Sequence, residues 1–173
     1  DRVKIYNEKG GVVATGAGLF AGGFMKHFPL LPVEDEGRLN DPDLRENYIE
    51  RIFALWRYRR ILAEKRSLAG LVEFHAAHKY LIQAHSETYL RRMGRIVAQG
   101  KARRFSEVRA DYEANLVDAL KMLATPKKHA NVLQHMMGFF KDDLSSDEKK
   151  ELLDVIRDFK DGLVPLVVPT TLI

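Results

Sequence analysis

Helix start and stop signals follow one another through most of this 173-residue sequence, and they constrain its fold more than any other feature. Asp41 before Pro42, and Ser145 three residues before Glu148, are strong starts, because such side chains satisfy the first free backbone N–H groups of a helix. The other start signals are Ser67, Ser106 and Thr125, and the stop signals are Gly100 and Gly162. Short connections join the segments between them. This pattern predicts a mainly α fold, an array of about six helices with near-antiparallel neighbours.

Apolar residues recur at helical spacing inside these segments. In the first long helix we expect a wide buried stripe made of Leu44, Tyr48, Ile49, Ile52, Phe53, Leu55 and Trp56. In the next helix the residues that share a face at 3–4–3–4 spacing are Leu71, Phe74, His78, Leu81 and His85. Two of the five are histidines, so this face carries imidazoles as well as apolar groups.

The first 40 or so residues differ from the rest, because they are rich in glycine and proline and carry short β-like pieces. Residues 3–6 and 12–14 alternate like strands around a turn, residues 19–28 suit a short helix, and residues 30–33 form a strand candidate weakened by Pro32. One or two strands do not make a stable sheet alone. We therefore expect a short α/β remnant at the N-terminus.

Composition excludes several classes of protein. Lys plus Arg number 28 and Asp plus Glu 24, and a net charge of +4 is too low for a histone-like protein that coats nucleic acid. The sequence has no cysteine, which excludes disulfides, cysteine nucleophiles and iron–sulfur clusters held by this chain's own thiolates. The longest uncharged run, residues 11–25, is too short and too glycine-rich to cross a membrane. The start does not look secretory, so we expect a cytoplasmic protein without membrane contact.

A glycine motif near the N-terminus has two interpretations. Gly16, Gly18 and Ala21 fit G-x-G-x-x-G/A, and the acids at residues 34–36 lie near where a dinucleotide-binding fold places its ribose ligand. Against this, the preceding strand is short and the α/β pattern lasts only about 40 residues. A tight turn leading into a short helix is the favoured interpretation.

Histidines and amides form a second candidate site on two helices. On the helix that begins at Ser67, His75 and His78 could share a metal at i, i+3, but His85 lies about 10 Å further along the helix axis. We expect a polar seam between this helix and the one that carries Asn131 and His135, serving as a structural network, a small-molecule pocket wall or a metal site. We favour the structural network. If the seam is instead a pocket, we expect it to hold no metal, and its candidate residues are His75, His78, Lys79, His85, Asn131, Gln134 and His135.

A basic run gives a third candidate, a nucleic-acid patch. Its residues are Arg91, Arg92, Arg95, Lys101, Arg103 and Arg104, with no acid between them. A solvated helix face is the favoured explanation of such a run, and contact with RNA is the alternative. At the C-terminus, residues 163–173 carry no charge and contain two prolines, so we expect them to run extended across the domain and cover its core.

Several blocks of residues resemble known families. The blocks of the first resemblance are Phe74-His75-x-x-His78-Lys79-Tyr80, Asn131-Val-Leu-Gln134-His135 with Gly138-Phe-Phe-Lys141, and Leu163-Val-Pro165. They resemble the YbgA-like helical domain, a family of unknown function, over residues 60–173. Upstream, Gly16-x-Gly18-Leu-Phe20-Ala21 and residues 28–40 are similar to the C-terminal third of TudS-type thiouracil desulfurases. Those enzymes use a cysteine-bound [4Fe–4S] cluster to remove sulfur from a thiolated pyrimidine.

The resemblances imply two domains: residues 1–58 as a desulfurase-like α/β remnant that ends in a linking helix, and residues 59–173 as a YbgA-like all-α domain. The sequence begins at Asp1, just after the point where a family cysteine segment would stand. We therefore expect the cluster only in a longer parent protein, no cofactor in this chain, and no catalysis by this chain alone.

The leading hypothesis is an accessory helical domain of a desulfurase-like protein, which helps to shape a cavity for a small thiolated pyrimidine or mediates assembly, including with a second copy. The resemblance implies that the cavity loop contains Gly16, Gly18, Glu34, Glu36, Arg38 and Asn40. The alternative is an RNA-binding module that presents thiolated nucleic acid through the basic run. A third hypothesis is a metal-dependent enzyme built on His75, His78 and His135.

Overall fold

The computed structural model describes residues 2–173; Asp1 and the side chains of residues 2, 3, 6 and 14 lie outside that description. The chain divides into two compact units, one ending at Arg57 and the other running from Tyr58 to Ile173. This division falls one residue before the boundary expected from the sequence. The assignment of the first unit to a desulfurase-like domain remains a prediction.

The first unit contains a β-hairpin, a short helix and most of a long one. Strands β1 (Arg2–Tyr6) and β2 (Val12–Ala17) pair antiparallel, with Val3 opposite Gly16 and a register shift between Ile5 and Tyr6. Helix α1 (Leu19–His27) follows β2 directly, a 3-10 turn covers Arg38–Asn40, and helix α2 (Pro42–Glu64) continues into the second unit. Asp41 caps α2 as expected, since its Oδ1 accepts the backbone N–H groups of Asp43 and Leu44.

The second unit is all-α. Beyond the end of α2 it contains α3 (Leu68–His85), α4 (Glu87–Ala98), a 3-10 turn (Gly100–Ala102), α5 (Phe105–Leu120), α6 (Pro126–Met137), α7 (Ser146–Lys160) and α8 (Val167–Leu172). Helix α3 packs on α4, α5 and α6, while α7 lies between α6 and α8. The mainly α prediction is confirmed, although the described residues form eight α-helices rather than about six. In residues 2–173, no helix combines the length and the apolar character that crossing a membrane requires.

Two apolar clusters hold the second unit together. In the first, the rings of Tyr58, Phe74 and Tyr112 pack on one another at centroid distances of 5.2–6.2 Å, and all three side chains are fully buried. The second cluster joins α6 and α7 through Ala130, Leu133, Leu152, Ile156 and Phe159. Interlocked rings and aliphatic groups of this kind contribute the main favourable free energy of folding.

The C-terminal residues cover the second cluster, as expected, but not in an extended conformation. Val164, Leu166 and Ile173 pack against it, and residues 167–172 form helix α8. The expectation of no helix was wrong because Pro169 is the third residue of α8, where a backbone N–H has no partner inside the helix. Pro169 therefore costs this helix no hydrogen bond.

Two other local expectations were wrong. Helix α5 begins at Phe105, with Arg104 rather than Ser106 at its N-cap and no side chain that caps it. Residues 30–33 form a turn and irregular chain instead of a strand: the backbone N–H of Leu31 donates to the carbonyl of Phe28 (3.1 Å), and Pro32 has no N–H to offer a sheet.

The apolar stripe predicted on α2 lies largely in solvent. Ile49, Ile52, Phe53 and Trp56 are 41–53% exposed, whereas Leu55 is buried. Periodicity identifies residues that share a face of a helix, but it does not specify whether another element covers that face.

Candidate functional site

A cavity of about 360 Å³ lies in the first unit, where the end of β2 meets α1 and the loop that follows it. Thr15, Gly16 and Ala17 of β2 form one side, and Ala21 and Met25, one turn apart on α1, form another. Gly16 also packs closely on β1: a Cβ at that position would stand 3.2 Å from the Cδ1 atom of Ile5. The volume is at the small end of the range for ligand pockets, about 300–1,000 Å³.

The polar side of the cavity comes from a short loop segment that contains Glu34, Asp35 and Arg38, next to Val33. Arg38 Nε donates to Glu34 Oε1 at 2.8 Å, as the i, i+4 spacing permits. Asp35 Oδ1 accepts the backbone N–H of Gly37 at 2.9 Å. These contacts hold two carboxylates and a guanidinium at the cavity wall.

Behind this wall, Arg51 of α2 braces Glu34. Its Nη1 lies 3.5 Å from Glu34 Oε2, and only 8% of the Arg51 side chain is exposed. Burial lowers the pKa of Arg51, and the carboxylate of Glu34 opposes that effect. The Tyr48 hydroxyl donates to the Pro32 carbonyl at 3.4 Å, which ties the loop to α2. Glu34 is thus fixed between two guanidinium groups.

The structure brings together part of the cavity loop expected from the sequence. Gly16, Glu34 and Arg38 line the cavity, whereas Gly18 is the N-cap of α1 and Asn40 ends the 3-10 turn. Glu36 is exposed and is not one of the lining residues. Sequence reasoning missed Thr15, Met25 and Arg51. The i, i+4 spacing of Glu34 and Arg38 was a readable signal, but nothing local marks Arg51 as a partner 17 residues away.

The glycine motif does not belong to a dinucleotide-binding unit. That motif requires two parallel strands joined by a helix. In the described residues the strand before Gly18 pairs antiparallel with β1, and the sheet has two strands. The short helix of the favoured interpretation is present as α1, but Gly18 alone separates it from β2, without the expected turn.

The histidines of α3 each have their own partner inside the second unit. His75 Nδ1 and the Tyr112 hydroxyl are hydrogen-bonded at 3.0 Å, and the ring of His78 stacks on Phe74 at 4.1 Å. His85 is fully buried, and its Nδ1 donates to the Met122 carbonyl at 2.7 Å. Burial lowers the pKa of His75, and the positive charge of Lys79 lowers it further. His75 and His85 thus link α3 to Tyr112 of α5 and to Met122 after it, whereas His78 packs on Phe74 of its own helix.

The expected polar seam is not buried on the α6 side. Asn131, Gln134 and His135 are exposed, since the inner side of α6 is taken by Ala130, Val132 and Leu133. Lys79 and His135 each lie beside the ring of Tyr80: that ring is 6.0 Å from the ring of His135, and Lys79 Nζ lies 4.8 Å from its centre. Within residues 2–173 no group of three His, Cys, Asp or Glu side chains is arranged to hold a metal ion.

The basic run is partly neutralised by acids just outside it. Three of its six residues form ion pairs, namely Arg91 with Glu87, Arg103 with Asp111 and Arg104 with Glu107. In the described part of the chain Arg92, Arg95 and Lys101 are exposed and form none. These ion pairs lower the positive charge that the run can offer to RNA.

A [4Fe–4S] cluster does not fit the residues of this chain. Such clusters are held by thiolates, and the sequence contains no cysteine. The exposed and buried polar groups described above offer imidazole, carboxylate and guanidinium instead. No reaction step through a cluster is assigned to these residues.

Comparison with known proteins identifies the family. Residues 79–173, more than half of the chain, match the family model described as "Protein of unknown function (DUF1722)". The chain is 30% identical over 120 residues to "Uncharacterized protein YbgA" of Escherichia coli (strain K12), covering 69% of this chain and 71% of that protein. No solved structure matches. This protein therefore belongs to the DUF1722 family, whose function is unknown.

Proposed function

We propose that this chain is a helical accessory part of a desulfurase-like protein, and that its first unit binds a small thiolated pyrimidine. The observation that carries the proposal is the cavity beside β2, with Glu34 and Arg38 fixed at its wall. The family comparison leaves the substrate open, so the chemistry of the cavity supplies the argument.

The charge of the cavity favours an uncharged ligand. Glu34 and Asp35 contribute two negative charges, and Arg38 and the bracing Arg51 contribute two positive charges. A phosphate would meet two carboxylates that repel it. A neutral heterocycle meets groups that already balance one another.

A pyrimidine has the polar edge that such a wall recognises. Its ring N–H groups suit the carboxylate oxygens of Glu34 and Asp35, and its carbonyl or thiocarbonyl suits a guanidinium N–H of Arg38. Met25 and Val33 provide an apolar surface for the ring faces, and the thioether of Met25 is a soft neighbour for a ligand sulfur. These features support binding and orientation of the ligand, with the desulfurisation chemistry supplied by groups outside this chain.

The test is a titration of the protein with 2-thiouracil and with uracil, followed by calorimetry and by ¹H–¹⁵N NMR. We expect saturable binding, tighter for 2-thiouracil, with shifts at Thr15, Ala17 and Met25. Arg38→Gln should weaken binding about tenfold, the value of one hydrogen bond to a charged group. It leaves the Glu34–Arg51 pair intact, so the unit should stay folded.

Lys26→Gln is the matched control, since Lys26 is exposed on α1 and does not line the cavity. It should bind 2-thiouracil as the natural sequence does. Absence of saturable binding, equal effects of the two substitutions, or a preference for uracil would each refute the proposal.

A further inference from the structure

A lysine on α3 is held against aromatic rings at the surface of the second unit. Lys79 Nζ lies 4.8 Å from the centre of the Tyr80 ring and 5.7 Å from that of Phe139. Two rings near one ammonium group attract it through their negative faces and fix its position. In the part of the chain that the structure describes, Lys79 forms no ion pair, so a carboxylate does not occupy its N–H donors.

The rings around Lys79 contact one another: Tyr80 belongs to α3, His135 to the last turn of α6, and Phe139 follows α6. Tyr80, His135 and Phe139 have centroid separations of 6.0 Å (Tyr80–His135), 6.3 Å (Tyr80–Phe139) and 5.8 Å (His135–Phe139). Phe139 is 62% exposed although it is a large apolar side chain, and His135 is exposed as well. We call these four residues the Lys79 cluster. It combines a positioned ammonium, an imidazole and an open aromatic face.

We propose that the Lys79 cluster binds a nucleotide, with the base stacked on the exposed ring of Phe139 and the phosphate bound by the ammonium of Lys79 and an imidazole N–H of His135. Aromatic side chains stack on bases because every base has a π-face, and an adjacent cation pairs with the phosphate. Charge complementarity selects this ligand: an anionic group matches Lys79, and a planar ring matches Phe139. An acidic peptide would pair with the ammonium of Lys79 but would leave the ring of Phe139 exposed to water.

The Lys79 cluster is separate from the cavity of the first unit and does not depend on the function proposed there. It also differs from the basic run, because neither Lys79 nor His135 belongs to that run. The cavity residues balance their own charges, whereas the cation of the Lys79 cluster is left for a ligand.

The test is an NMR titration of the full chain with uridine 5′-monophosphate, uridine and inorganic phosphate. We expect the nucleotide to shift resonances of Tyr80, His135 and Phe139 and to bind about tenfold more tightly than uridine, as one charge-assisted contact permits. Lys79→Met should remove that difference. Phe139→Leu keeps an apolar side chain but no ring, and should weaken nucleotide binding about fivefold.

Lys150→Met is the matched control, since Lys150 is an exposed lysine of the same unit that belongs neither to the basic run nor to the Lys79 cluster. It should leave nucleotide binding unchanged. The proposal is overturned if uridine binds as tightly as the nucleotide, if phosphate alone binds as tightly and Phe139→Leu has no effect, or if Lys150→Met weakens binding as much as Lys79→Met. Absence of saturable binding at millimolar nucleotide would overturn it too.

Discussion

Gly70, the third residue of α3, stands where no side chain fits. A Cβ built at this position would lie 2.3 Å from the carbonyl oxygen of Lys65 and 2.9 Å from its Cβ. That carbonyl cannot move freely, because it accepts the backbone N–H of Ser67 at 2.8 Å in the turn between α2 and α3. Gly70→Ala must therefore shift the turn itself by about 1 Å.

The expected cost is the difference between two effects. Inserting a methyl group into a closed space costs about 1–3 kcal/mol, and replacing glycine with alanine inside a helix returns at most about 1 kcal/mol. Because the atom that the methyl group meets is a backbone carbonyl oxygen, the cost lies in the upper part of that range, about 2–3 kcal/mol. We therefore expect Gly70→Ala to lower the free energy of unfolding by about 1–2 kcal/mol. For a unit of this size, that corresponds to a fall in Tm of roughly 4–8 °C.

Gly94→Ala is the matched control for this substitution. Gly94 also lies inside a helix of the second unit, and a Cβ there would meet the Nε2 atom of His75 at 3.6 Å, an ordinary contact. We expect the Gly94→Ala protein to be as stable as the natural sequence or up to about 1 kcal/mol more stable. Urea denaturation followed by circular dichroism at fixed pH measures both. Equal stability of the two variants would refute the reasoning.

Two further predictions concern buried polar groups. Tyr58→Phe removes the hydroxyl that donates to the Arg109 carbonyl at 3.3 Å, so the free energy of unfolding should fall by about 0.5–1.5 kcal/mol in urea denaturation; an unchanged value would show that this bond contributes nothing. The pKa of His75 is lowered from 6.5 chiefly by burial, so the stability due to neutral His75 is complete above pH 6.5 and is lost as the pH falls through the lowered pKa. His75→Gln should therefore flatten the decline in Tm between about pH 7.5 and pH 5, and an identical decline in both proteins would contradict this origin.

Structural features that depend on contacts between residues close in sequence could be predicted from the sequence. The Ser67 cap and the capping box of Ser145 and Glu148 are both present, because the bonds that make them join residues three apart. Sequence reasoning failed where the outcome depends on contacts between distant segments. Phe139 lies just beyond α6, so helical spacing could not relate it to Lys79, yet their contact defines the Lys79 cluster.

Helix α2 also shows that contacts between distant segments decide which side chains are buried, and one of its buried residues contacts the wall of the cavity. The residues that it buries include Asn47 and Arg51, although apolar residues of the same helix, Phe53 and Trp56, are 53% exposed. A buried guanidinium is costly unless a carboxylate compensates it, and Glu34 does so. Arg51 is thus buried where it can hold the wall of the cavity. Departures of this kind from the hydrophobic pattern concentrate at functional sites, and this one therefore supports the cavity as the site to test first.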